Sequence, residues 1–126
     1  MEKDQAAKRV VIAEDQTGMR GLVRELIDEE TDLQVVGLAA TGEEVLERVT
    51  KERPDAVVLD LGLPVLDGEL VLGWLTGSDE RPRIVVLSGQ ASALIAPRLI
   101  EAGADAVVEK GVRGWERELL AQLRGG

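Results

Sequence analysis

Short apolar runs and helical apolar stripes alternate along the whole chain. Five runs rich in Val, Ile, Leu and Ala are each long enough for one strand covered on both faces: residues 9–13, 33–39, 56–60, 83–87 and 106–109. After the first run, apolar residues recur at i, i+3, i+4, i+7 and i+8, which is the spacing of one helix face. Those positions are Met19, Leu22, Val23, Leu26 and Ile27.

Capping signals place the other helices between the runs. Thr41 precedes Glu44 by three residues, which predicts a capping box and a helix that continues to about Arg53, where Pro54 ends it. A third helix is predicted from Gly68 to about Thr76, and a fourth ends near residues 102–103. A last helix is predicted on an apolar stripe made by Val112, Trp115, Leu119, Leu120 and Leu123.

Strands that alternate with helices at this spacing predict an α/β protein with a parallel sheet. We expect a single (βα)5 doubly wound sheet of five strands in the order 2-1-3-4-5. The 126 residues allow one domain, 1–126, with a core from about residue 9 to residue 123. Only Trp74 and Trp115 are aromatic, so the core must consist of Val, Leu, Ile and Ala.

Composition excludes several kinds of chemistry. The chain has no cysteine and no histidine, which excludes disulfides, thiolate chemistry, cysteine-based zinc sites and imidazole catalysis. A net charge of −9 argues against direct binding to a nucleic-acid backbone. The chain has no apolar run long enough to span a membrane, and its charged N-terminus does not resemble a signal peptide, so the cytoplasm is the expected compartment.

Polar side chains of complementary chemistry follow four of the five predicted strands. Glu14 and Asp15 follow strand 1, Asp60 ends strand 3, Ser88 follows strand 4 and Lys110 follows strand 5. In an open α/β sheet, the working crevice lies beyond the carboxyl ends of the strands at the point where the strand order reverses. Three carboxylates there repel each other unless one is protonated or a cation binds, and an all-oxygen site suits Mg²⁺.

This arrangement predicts metal-assisted phosphoryl transfer to Asp60. The carboxylate acts as the nucleophile, while the Ser88 hydroxyl and the Lys110 ammonium neutralise charge on the phosphoryl group. Each residue alone also has a structural interpretation. Acids before a helix serve as caps, an Asp or a Ser-Gly pair after a strand forms turns, and most lysines are solvated. The prediction therefore depends on their conjunction.

The same residues resemble the response regulator receiver family over almost the whole chain. The resemblance is carried by the acid pair 14–15, the segment D-L-G-L-P-V-L-D-G over residues 60–68, Ser88-Gly89, and A-G-A-D over residues 102–105 leading to Lys110. The spacing D-x-x-x-P-x-x-D-G, with Asp67 at its second acid, is specific, and all motifs occur in the family's order.

The resemblance implies a role for each site residue. Asp60 would be the phosphoacceptor, and Asp15 would bind Mg²⁺ (or Mn²⁺) directly, with Glu14 acting mainly through water. The backbone carbonyl of Gly62 would complete the protein's share of the coordination. Ser88 and Lys110 would contact the phosphoryl oxygens, and the chain would catalyse only its own phosphorylation and dephosphorylation.

The resemblance also implies partners. The donor would be the phosphohistidine of a sensor kinase, which must lie in another protein because this chain lacks histidine. The output would be a phosphorylation-linked change in the face formed by the fourth helix, fifth strand and last helix, which is also a candidate homodimer surface. Residues 33–44 are similar to receivers that precede helix-turn-helix domains.

Three positions depart from the family pattern. Val107 stands where receivers usually carry Tyr or Phe, so signalling by rotation of that aromatic ring is excluded. Gly111 follows the lysine in place of the common proline. Pro97 is expected in the first turn of a short fourth helix, which leaves residues 89–96 loose. Gly62 and Gln90 are expected to tune the lifetime of the phosphoryl group.

These departures motivate one alternative function, and a third function is disfavoured. The chain is alternatively a receiver-like interaction module that signals by docking, with weak or no phosphorylation. An aspartate-nucleophile phosphatase of the haloacid type is disfavoured, because Gly62 stands where those enzymes need a second Asp as the acid.

Overall fold

The computed structural model describes residues 6–60, 68–77, 81–89 and 92–125, with five strands and five helices in strict alternation. The strands are β1 (Lys8–Ala13), β2 (Leu33–Ala39), β3 (Ala56–Asp60), β4 (Arg83–Ser88) and β5 (Ala106–Glu109). The helices are α1 (Thr17–Asp28), α2 (Gly42–Glu52), α3 (Gly68–Thr76), α4 (Ser92–Glu101) and α5 (Trp115–Leu123).

All paired strands are parallel, and their order is β2-β1-β3-β4-β5, which confirms the predicted topology. The register between β1 and β2 shifts by one residue, because Val10 pairs with Val35 whereas Val11 pairs with Gly37. The strand order puts β1 and β3 side by side at the centre of the sheet. The residues that follow these two strands are therefore brought together at one edge.

The sheet is covered on both faces, as its uninterrupted apolar runs predict. One core packs beneath α2, α3 and α4, where Val45, Leu72 and Leu99 meet alternate residues of the strands. The other lies beneath α1 and α5, where Ile27 and Leu119 contact the remaining strand residues. Because successive strand side chains point to opposite faces, each central strand contributes to both cores.

Local signals in the sequence explain where two helices end or begin. At the start of α2, the Glu44 amide donates to Thr41 Oγ1 at 3.2 Å, and Glu44 Oε1 accepts from the Ala40 amide at 2.8 Å. The capping box is therefore confirmed, with its return bond one residue earlier than usual. Beyond α4, Gly103 has a φ of 120°, and a Cβ at that position would collide with the Thr76 side chain. Only glycine fits this close approach of α3 to the end of α4.

Two aspartates join neighbouring strands at the amino edge of the sheet. The Arg9 amide donates to Asp55 Oδ2 at 2.8 Å, and the Ile84 amide donates to Asp105 Oδ2 at 2.7 Å. Asp105 also forms an ion pair with Arg81 at 3.1 Å. Each carboxylate therefore accepts from the backbone of a strand next to the one that it precedes.

A small ion cluster ties the end of α5 to the loop between α1 and β2. The Arg124 guanidinium contacts Asp32 at 2.7 Å and Glu30 at 2.5 Å, and Lys8 Nζ donates to the Arg124 carbonyl at 2.6 Å. These carboxylates hold the pKa of Arg124 above its usual range. These contacts thereby join residues near the two ends of the described chain.

Two expectations about helix boundaries were wrong. Pro97 lies inside α4, which begins five residues earlier at Ser92, so residues 92–96 are helical rather than loose. A proline there removes one amide donor, and Leu99, buried in the core beneath this helix, anchors the turn that follows. Val112 lies in the loop before α5 and is half exposed, so the apolar stripe of this helix begins at Trp115.

The two tryptophans lie on opposite faces of the sheet. Trp74, on α3, is 49% exposed, whereas Trp115 is partly buried at the start of α5. Within the described residues, every helix is too short or too polar to span a membrane.

Candidate acidic site at the carboxyl edge of the sheet

The structure gathers the predicted site residues at the carboxyl edge of the sheet. Glu14 follows β1, while Asp60 and Ser88 are the last residues of β3 and β4. Lys110 follows β5, and its amide donates to the Ser88 carbonyl at 2.7 Å. This convergence follows from the parallel sheet, in which all strands end on the same side.

Three carboxylates form a tight cluster. One oxygen from each of Glu14, Asp15 and Asp60 lies within 4.8 Å of the others. Glu14 is only 1% exposed, Asp60 is mostly buried and Asp15 is open to solvent. The cluster therefore reaches from the protein interior to the surface, so a cation can approach it from solvent.

Lys110 supplies a positive charge to this cluster. Its Nζ lies 3.4 Å from Glu14 Oε1 and 4.0 Å from Asp60 Oδ1. One ammonium group cannot neutralise the negative charge of three carboxylates. The remaining negative charge favours protonation of Glu14, the most buried of the three. Burial raises the pKa of Glu14 to about 7, and a hydrogen bond with Asp60 and the charge of Asp60 add to the effect. The Gln16 amide and Lys110 oppose it.

Every polar group of Glu14 is held by a neighbour. Its amide donates to the Ala39 carbonyl at 2.9 Å, and its Oε2 accepts from the Gln16 amide at 3.3 Å. Its carbonyl accepts from Arg20 Nη1 at 3.0 Å. Arg20 was not among the predicted site residues. An arginine six residues after the first acid, in the first turn of α1, does not by itself indicate a contact with the site.

The donor set fits a hard divalent cation. Carboxylate oxygens are the ligands that Mg²⁺ and Mn²⁺ prefer, and a partly open site leaves room for the waters that Mg²⁺ retains. A cation would offset the charge of Asp60, which adds to the effect of burial on the pKa of Glu14. Gly62, predicted to offer a backbone carbonyl, lies outside the described residues, as do Pro64, Asp67 and Gln90.

Comparison with known families decides the assignment. The response regulator receiver domain profile matches residues 10–124, which is nearly the whole chain. The chain belongs to the response regulator receiver family. Receiver domains generally bind Mg²⁺, and the cluster of Glu14, Asp15 and Asp60 fits such a site.

Solved receivers have the same fold. The response regulator domain of Thermotoga maritima CheB matches with a TM-score of 0.85 and 26% identity, over 94% of each chain. A LuxR-family two-component response regulator from Aurantimonas sp. SI85-9A1 also has a TM-score of 0.85. It is 28% identical, over 94% of this chain and 86% of the other.

Curated relatives contain a similar receiver within a longer protein. The protein-glutamate methylesterase/protein-glutamine glutaminase 5 of Myxococcus xanthus is 39% identical over 104 residues. The alignment covers 81% of this chain and 30% of that relative. This receiver therefore spans less than a third of the methylesterase, and the similarity concerns the receiver part alone.

The structure also describes two of the positions that depart from the family pattern. Val107, on β5, is half-buried and packs against the core beneath α2, α3 and α4. Gly111, directly after Lys110, has a φ of 88°, a conformation that proline, with its φ fixed near −65°, does not reach. This loop therefore follows a different path from one with proline after the lysine.

Proposed function

We propose that this receiver accepts a phosphoryl group on Asp60 in a Mg²⁺-dependent reaction and passes the signal through the surface of α4, β5 and α5. The observation that carries the proposal is the position of Asp60. Its carboxylate belongs to the acidic cluster and lies 4.0 Å from the Lys110 ammonium. A nucleophile beside a cation site and a fixed positive charge is what phosphoryl transfer requires.

The transfer conserves charge and atoms between two proteins. An oxygen of Asp60 attacks the phosphorus of a sensor kinase phosphohistidine, the N–P bond breaks, and an acyl phosphate forms. The kinase imidazole keeps the electron pair of the broken bond. The donor histidine lies outside these 126 residues, which contain no histidine.

Each site residue has a distinct proposed task. Asp15, Asp60 and the Gly62 carbonyl would hold Mg²⁺, with Glu14 acting through water, and the ion would supply positive charge to the phosphoryl oxygens. Lys110 and the Ser88 hydroxyl contact the other phosphoryl oxygens. The backbone bond between Lys110 and Ser88 supports this role because it ties the two residues together.

Phosphorylation by a small donor tests the acceptor directly. The protein is incubated with Mg²⁺ and acetyl phosphate, and its intact mass is measured. We expect the mass of one phosphoryl group to be added to the wild type, and no mass to be added when Mg²⁺ is chelated before acetyl phosphate is supplied. Asp60→Asn should abolish the addition, whereas the matched control Asp28→Asn, at the exposed far end of α1, should keep it.

Phosphorylation of the Asp60→Asn variant at the wild-type rate would exclude Asp60 as the acceptor. A wild type that gains no mass, from acetyl phosphate or from a phosphorylated kinase, would favour the second candidate, a receiver that signals by docking alone. The observation behind that candidate is Val107, which cannot report the state of Ser88 by rotation of an aromatic ring.

The output surface is tested with beryllofluoride, which mimics a phosphoryl group on aspartate. We expect it to shift backbone NMR signals of residues 88–96 and of the α4, β5 and α5 surface in the wild type. Asp60→Asn should show no such shifts. Shifts limited to residues in contact with Asp60 would contradict signalling through this surface.

A further inference from the structure

Arg20 contacts the acidic site without belonging to it. The side chain starts from the first turn of α1, is half-buried, and donates from Nη1 to the Glu14 carbonyl at 3.0 Å. The proposed phosphoryl transfer gives this arginine no task. Its bond is to the main chain immediately before Asp15, the carboxylate that we propose as a direct ligand.

Because of its position, this hydrogen bond influences the orientation of Asp15. The Glu14 carbonyl belongs to the peptide plane that continues to the Asp15 amide, so fixing the oxygen fixes the plane. The other polar groups of Glu14 are already held by Ala39, Gln16 and Lys110. Arg20 thus fixes the Glu14 carbonyl oxygen, which accepts from this side chain rather than from a neighbouring strand. Asp15 itself is exposed, so its direction depends on this backbone.

We propose that Arg20 is a positioning residue for the divalent-cation site. It holds the peptide between Glu14 and Asp15 so that the Asp15 carboxylate faces the ion together with Asp60. The inference rests on the cation site of the proposed function and does not depend on phosphoryl transfer. Groups that orient metal ligands through hydrogen bonds typically change metal affinity by about 10-fold to 100-fold when they are removed.

Electrostatics alone predicts the opposite sign. A guanidinium near a cation site repels the ion, so removal of its charge would tighten binding. Positioning predicts weaker binding after the same change. The direction of the change in affinity therefore separates the two roles of Arg20.

The test uses Arg20→Met, which removes both the charge and the donor, and Arg20→Lys, which keeps the charge but loses the planar fork. Arg24→Met is the matched control, because Arg24 lies one turn later on α1 and, within the described part of the chain, pairs only with Asp28, at 3.6 Å. Mg²⁺ affinity is measured by calorimetry and Mn²⁺ affinity by electron paramagnetic resonance, with no phosphoryl donor present.

We expect Arg20→Met to weaken binding of both ions by about 10-fold. Arg20→Lys should weaken it by about 3-fold, since an ammonium on a flexible stem replaces the rigid guanidinium. Arg24→Met should leave it unchanged. In the metal-free protein, the Gln16 amide should exchange severalfold faster in Arg20→Met, because the main chain between Glu14 and Gln16 is no longer fixed and the bond from this amide to the Glu14 carboxylate opens more often.

Unchanged or tighter binding in Arg20→Met would overturn the proposal, as would an equal loss in Arg24→Met. If Arg20→Met does not fold, unchanged binding in Arg20→Lys overturns it. A positive result remains valid even if Asp60 gains no phosphoryl group, because ion binding is measured alone. The result for Arg20 and the result for Asp60 are thus separable.

Discussion

The two edges of the sheet use acidic residues in opposite ways. At the amino edge, Asp55 and Asp105 each accept a hydrogen bond from the backbone of the neighbouring strand, and Asp105 also pairs with Arg81. At the carboxyl edge, Glu14, Asp15 and Asp60 crowd within 4.8 Å and face one ammonium, that of Lys110, among the described side chains.

The difference lies in the number of donors for each carboxylate. Where donors match acceptors, a carboxylate joins elements and stabilises the fold. Where carboxylates exceed donors, the folded state keeps repulsion that a cation can relieve. The two edges should therefore respond in opposite directions to removal of an acid.

The largest expected effect is the pH dependence caused by Glu14. Its pKa is raised from 4.5 to about 7 in the folded protein, so between these values the folded state binds more protons than the unfolded state. Proton binding to Glu14 therefore stabilises the folded state fully below about pH 4.5. This contribution to the free energy of unfolding, about 3 kcal/mol at most, is lost as pH rises through about 7. Urea unfolding of the metal-free protein measures this loss.

The contribution of Glu14 is measured as the difference in free energy of unfolding between Glu14→Gln and the wild type. Glu14→Gln resembles the protonated side chain, so its stability relative to the wild type should rise between about pH 5 and about pH 8. A constant difference over this range would contradict the raised pKa. Saturating Mg²⁺ should stabilise the wild type more at the higher pH, because the cation requires ionised ligands.

The next effect is expected at the amino edge. Asp105→Ala leaves the buried Ile84 amide without the acceptor that Asp105 supplies, at a cost of about 2 kcal/mol in the free energy of unfolding. Asp105→Asn keeps an acceptor oxygen and should recover about half of the loss. Equal losses in both variants would place the effect in the ion pair with Arg81.

At the carboxyl edge, removal of an acid should stabilise the protein. Asp60→Asn removes a charge beside Glu14 and should raise the free energy of unfolding by about 1 kcal/mol in metal-free solution near pH 8. The gain is limited because the 4.0 Å contact with Lys110 is also lost. Destabilisation by Asp60→Asn under these conditions would remove the contrast between the two edges.

The smallest effect concerns the exposed ion cluster of Arg124. Arg124→Ala should lower the free energy of unfolding by about 0.5–1 kcal/mol, since its partners Asp32 and Glu30 are accessible to solvent. The loss should shrink in about 0.5 M salt because ions screen exposed pairs. A loss that does not depend on salt would indicate packing of the arginine stem instead.

Patterns within single elements were sufficient to predict most of the fold. The runs at residues 56–60 and 106–109 became strands with the predicted bounds, because buried parallel strands need little more than continuous apolar sequence. Pro97 was misplaced because the cost of an internal proline is offset by tertiary packing of Leu99, which local sequence does not encode. The prediction that Val112 belongs to the last helix was wrong for a related reason, because the apolar spacing continues upstream of the residue at which α5 begins.

The residues of the candidate site could be predicted from the sequence, but the hydrogen bonds from residues around them could not. Glu14, Asp60 and Lys110 could be assigned to one edge because parallel strands all end there. The bond from Arg20 and the strand-joining roles of Asp55 and Asp105 depend on how far side chains reach between elements. An aspartate before a strand has the same sequence pattern whether it bonds to a neighbour or to water.

The two tryptophans give the protein two intrinsic fluorescence probes in different environments. The chain contains no tyrosine or phenylalanine, so all of its aromatic ultraviolet absorption and emission comes from Trp74 and Trp115. One indole sits half in solvent on α3, and the other is partly shielded at the entrance of α5, five residues after Lys110. Single-tryptophan variants would therefore allow each face of the sheet to be observed separately, without an added dye.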